Sequence, residues 1–153
     1  METQDGLNMV NLFEIMPYQG AGELRFGMSE EKVCSLYGRP GSEATNFLME
    51  RDLTFELFSS RFSKEDRTLV EIGFAPNANV YFRGVNLFQD SRAFQMLLAA
   101  DGDPYESLGF IILLKIGITM TGFHDNDLSQ LAVTLFTRGR WDRLRSKMKK
   151  FVI

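Results

Sequence analysis

The sequence predicts an α+β fold: two tandem helix-plus-antiparallel-sheet units packed as one domain, with short helices on one face of the sheet and a possible C-terminal helix. Three observations predict it. Two short stretches carry the i, i+3, i+4 apolar spacing of a helix, several others alternate as strands do, and the order of these signals recurs at a nearly constant offset. A chain of 153 residues, 44% hydrophobic and 24% charged, has the size and composition of one domain. It buries roughly 68–70% of its unfolded surface without help from metal or disulfides.

The first helix is expected over Ser29–Tyr37. Ser29 is a good N-cap, Glu30 and Glu31 suit the positive end of the helix dipole, and Val33, Leu36 and Tyr37 make the apolar stripe. Gly38 stops it and Pro40 follows. Alternation predicts strands over Leu53–Phe58 and Leu69–Phe74, with another extended piece over Val80–Arg83. Asp90 opens a second helix, with Phe94, Leu97 and Leu98 on one side and Asp101-Gly102-Asp103-Pro104 at its end. Three further strands are expected over Phe110–Ile116, Ile118–Thr121 and Leu131–Thr137. Trp141–Phe151 has the spacing of a basic terminal helix through Trp141, Leu144 and Met148.

The two halves run in parallel. Ser29 and Asp90, Gly38 and Gly102, Leu53 and Ile116, and Val70 and Val133 are separated by 61, 64, 63 and 63 residues. We read a single domain, 1–153, with a pseudo-repeat over 24–88 and 89–150.

Charge is unevenly placed. The formal net charge is −3, yet Arg138–Lys150 holds seven basic residues against Asp142 alone. Residues 1–137 then carry ten basic and nineteen acidic side chains, a balance of −9. Such a body repels nucleic acid and anionic membrane and favours a basic partner, or serves solubility alone. The basic segment either touches phosphates or packs on the acidic body. The opening Met1-Glu2-Thr3-Gln4-Asp5 is unlike a secretory leader, and Leu108–Met120 falls short of the ~20 apolar residues of a membrane span. With the single Cys34, these features predict a cytoplasmic protein.

No motif carries catalysis. His124 lies beside Asp125 and Asp127, and an enzyme would have to work through it, but Ser59, Ser60 and Ser63 lack a nucleophile elbow. Cys34 sits on or near a helix stripe and reads as a small buried hydrophobe. Asp101, Asp103, Asp125 and Asp127 read as turn formers before calcium ligands, and no glycine-rich loop has the Lys-Ser/Thr ending of a phosphate site. No metal or cofactor is expected. The fourteen phenylalanines read mostly as core, with Phe62, Phe82 and Phe88 as candidates for exposure.

Phe26-Gly27-Met28-Ser29, the helix with Val33, and then Gly38-Arg39-Pro40 resemble the helix-and-sheet module of BamE-like envelope lipoproteins and of β-lactamase-inhibitor proteins. They are also similar to bacterial immunity proteins that pair with secreted toxins, such as those of type VI secretion. The match is sharp over Phe26–Pro40 and architectural beyond. The chain lacks the paired cysteines of the exported inhibitor. What the resemblance implies is an antitoxin acting by stoichiometric binding, with loop acids and an aromatic toward the toxin: Asp101, Asp103, Tyr105, Glu106, Asp125 and Asp127, with Glu65 and Asp66 in reserve. A BamE-like scaffold without inhibitory role is the alternative.

Overall fold

The computed structural model describes residues 12–152; the reading of Met1–Asp5 lies outside them. Three short strands lead in: β1 (Leu12–Met16), β2 (Gly20–Ala21) and β3 (Leu24–Arg25). Helix α1 (Glu30–Tyr37) follows, then β4 (Ser42–Thr45), β5 (Arg51–Thr54), β6 (Ser59–Phe62) and β7 (Leu69–Phe74). The order then begins again with β8 (Asn79–Phe82), β9 (Val85–Asn86) and α2 (Ala93–Asp101). A second set, β10 (Tyr105–Ser107), β11 (Phe110–Leu113), β12 (Ile118–Thr121) and β13 (Ala132–Phe136), precedes the last strand, β14 (Lys149–Lys150). This is an α+β fold with short helices.

Each helix is thus followed by a four-stranded antiparallel meander, and the two meanders join through their last strands. β13 pairs antiparallel with β7, Thr134 opposite Gly73 and Leu135 opposite Ile72. The product is one nine-stranded sheet in the order β14-β10-β11-β12-β13-β7-β6-β5-β4. A second sheet, β3-β2-β1-β8-β9, holds β1 parallel to β8.

Alternation along each strand separates two faces of the large sheet. Leu53, Ile72, Phe74, Val133, Leu135, Ile118, Met120, Ile111 and Leu113 fall on one face and are buried. They share one core with Val33 of α1, Leu97 and Leu98 of α2, and Phe13, Ile15, Val80 and Phe82 of the small sheet. Both helices therefore lie on the same, inner side. Each such side chain contributes about 1.5–3 kcal/mol by leaving water, so this layer dominates stability.

Local chemistry explains the helix ends. The Ser29 hydroxyl accepts from the Lys32 N–H at 3.1 Å, as an N-cap should. At the end of α2, Gly102 adopts φ 81°, a left-handed turn that glycine enters without a Cβ penalty. Asp90 stands three residues before α2 begins at Ala93, and its carboxylate accepts from the Arg92 N–H.

Several expected elements differ. The Leu53–Phe58 strand ends at Thr54, because the Phe55 N–H turns back to the Phe58 carbonyl at 2.8 Å and stacks the two rings. Phe110–Ile116 ends at Leu113, where Gly117 closes a turn. Phe62 and Phe82 are buried, since strand alternation points them inward, and Phe88, in the turn after β9, is half-buried against the core. Cys34 is only half-buried, packed at the edge of the core. The terminal helix over Trp141–Phe151 does not form: a 3-10 turn, Asp142–Lys147, gives way to β14. Trp141 is drawn onto Phe110 and Phe136, and the Lys149–Lys150 backbone completes the edge of β10.

Candidate functional site

The outward face of the nine-stranded sheet is the candidate site. Register sets one row across it: Thr54, Ser59, Gly73, Thr134, Thr119, Ile112, Tyr105. Exposure changes along that row. Thr54 and Ser59 are exposed, Gly73 and Thr134 half-buried, and Thr119 and Ile112 buried. The covered end lies under Trp141, whose ring meets Phe110 at 5.9 Å and Phe136 at 6.2 Å. Among the described residues the first meander's end has no such cover, and small side chains leave it shallow: a Cβ added at Gly73 would stand 2.7 Å from the Ser59 hydroxyl.

The next row supplies charge: Asp52, Arg61, Glu71 and then Phe136. Arg61 donates to Asp52 at 2.6 Å and to Glu71 at 3.3 Å. Arg140, reaching in from the segment after β13, donates to both oxygens of Glu50 at 2.8 and 3.0 Å and to Glu71 at 2.8 Å. The network fixes these side chains in place, since each charge-assisted bond is stronger than a neutral one. The Arg140 hydrogen bonds hold the Glu50 carboxyl down at about 2, against burial that pushes it up. Arg140 is pushed above its ordinary range by the same carboxylates, against desolvation, the larger single influence.

Beside the network, the β4–β5 turn projects three apolar residues. Phe47 is 92% exposed and Met49 63%, with Leu48 between them. The Asn46 side-chain oxygen accepts from the Leu48 and Glu50 N–H groups, both at 2.9 Å, so the tip is held rather than loose.

The acids singled out in the sequence are not brought together. Asp101 is 3% exposed, and its oxygens accept from the Lys115 and Asp103 backbone N–H groups, so it secures the end of α2 and cannot face a partner. Asp103 pairs with Lys150 and Glu106 with Lys149, while the Lys150 ammonium lies 4.7 Å from the Tyr105 ring centroid. The basic terminus thus packs on this acidic edge. Asp125 and Asp127 lie exposed on another loop, where they bond to the turn itself. Asp66 accepts from Ser63 and Thr68 in the β6–β7 turn, and Glu65 is exposed beside it. His124 stands edge-on to Phe151, with a buried Nδ1 that meets no hydrogen-bond partner among the described residues.

Ser59, Gly73, Thr134, Arg61, Glu71, Arg140 and Phe47 were missed as a site. Their signal was the polar member of each strand's alternation, which marks an outward face without saying that it is uncovered. Among the described residues no group of His, Cys, Asp and Glu could hold a metal, and no helix is long and apolar enough to cross a membrane. No family model, curated protein or solved structure matches the chain.

Proposed function

We propose that this chain is a cytosolic immunity protein, which neutralises a secreted bacterial toxin by binding it one to one and occluding its active site. The observation that carries the reading is the uncovered half of the large sheet: a rigid, shallow face of small polar side chains with fixed charges and an apolar turn at its rim. Such a face suits a macromolecule, because a small ligand needs an enclosing pocket. The Phe26–Pro40 resemblance to immunity and inhibitor proteins supports the same reading.

Co-expression with the toxin encoded by the adjacent gene tests it. The wild-type chain should restore growth, and Ser59→Arg, which fills the open face from an exposed position, should abolish rescue while leaving the fold intact. Failure of the wild type to protect overturns the reading. A pull-down that returns envelope proteins and no toxin favours the scaffold alternative.

A further inference from the structure

The outward face ends in a cleft of about 500 Å³, where the β4–β5 turn, the β6–β7 turn and the segment after β13 converge. Leu48, Ser63, Lys64, Thr137, Arg138 and Arg143 line it. Its charge is the reverse of the body's. Arg140, on the same wall, is spent on Glu50 and Glu71. Lys64, Arg138 and Arg143 make no ion pair among the described residues, and Glu65 is the one carboxylate on the wall that is also uncommitted. Three free cations therefore face one free acid, on a chain whose first 137 residues balance at −9.

The site is also pre-organised. The Arg138 guanidinium lies 4.0 Å from the Tyr18 ring centroid. Tyr18 is itself fixed, its hydroxyl donating to the Leu114 carbonyl and its ring edge-on to Phe136. A guanidinium stacked on one face keeps its N–H edge free, the geometry that grips a carboxylate with two bonds. The apolar Phe47 tip stands next to the cleft on a turn pinned by Asn46. A cationic slot beside an exposed apolar anchor fits a protein segment that carries acids and an apolar residue together. A nucleic-acid strand would instead run its phosphates past an acidic body.

We propose that this cleft docks the carboxylate side chains of an acidic segment on the protein partner, with Arg138 and Arg143 gripping the acids, Lys64 opposite them and Phe47 as the apolar anchor. The proposal rests on the reading that the sheet face receives a protein.

The test is an amide-shift titration of the full, isotope-labelled chain with a short blocked peptide of alternating glutamate and leucine. A lysine–leucine peptide and an oligothymidylate serve as comparisons. Saturable shifts are expected at Ser63–Glu65 and Thr137–Arg143 with the acidic peptide alone. Affinity should fall about tenfold in Arg138→Glu and in Lys64→Glu, two variants on separate segments, and less in Phe47→Ser. No saturation, equal binding of the lysine peptide, or tighter binding of the oligonucleotide overturns the proposal. Since the titration needs no toxin, acidic-peptide binding without protection in co-expression overturns the inhibitory reading alone. Protection with a silent cleft overturns this proposal alone.

Discussion

The two meanders of the large sheet are built alike and finished differently. In the second, Trp141 bridges Phe110 and Phe136 on the outward face, where Thr119 and Ile112 are buried; in the first, the matching positions Ser59 and Thr54 stay exposed. The side chains follow the burial: the closed half carries the buried Ile112 and Phe136, whereas the open half carries hydroxyls and ion pairs that water can reach. The same strand order thus yields a packed layer in one half and a presentable surface in the other. The difference comes from a terminal segment that belongs to neither meander.

The largest way to break this comparison is Arg140→Ala. It leaves Glu50 and Glu71 with Arg61 as the guanidinium they share, and removing one partner of a largely buried ion-pair network costs up to about 3–5 kcal/mol. Urea unfolding would register the loss. Trp141→Ala should follow at about 3 kcal/mol, because it takes away the ring packed on both Phe110 and Phe136. Ser59→Ala in the open half should change stability by less than about 0.5 kcal/mol. Equal effects at the two positions would erase the distinction between halves.

Acid should act on the open half by a defined route. Folding lowers the Glu50 carboxyl from 4.5 to about 2, so its contribution is complete above the unfolded value and is lost as pH falls from about 5 toward 2. The expected loss is up to about 3 kcal/mol, and Glu50→Gln should flatten that part of the stability profile. A profile that keeps the same slope in the variant would assign the acid lability to other groups.

Much of the fold was legible because its signals are local. Ser29, Val33 and Gly38 define α1 by cap, stripe and stop, and the β7 and β13 alternation is strong because one side of each strand is core. β4 was not legible: all four of its residues are exposed at a sheet edge, so nothing alternates. The 3-10 turn after Trp141 was misread as a helix because periodicity cannot reveal that an indole will be captured by Phe136 at the end of β13 and by Phe110, distant in sequence. The site failed for a related reason. Acid-rich turns such as Asp101–Glu106 stand out in sequence, but their charges are consumed by a helix end and by Lys149 and Lys150. The open face is written in scattered serines, threonines and one glycine, which draw attention only when the sheet aligns them.

The most direct measurement is hydroxyl-radical footprinting of the chain alone and bound to the toxin that the proposed function assigns to it. Phe47, Met49 and Leu128 are all well exposed in the free chain and should label. If the uncovered half of the sheet and its rim are what the partner covers, labelling of Phe47 and Met49 falls in the complex while Leu128 keeps its rate. Protection of Leu128 with unchanged Phe47 and Met49 would contradict the account.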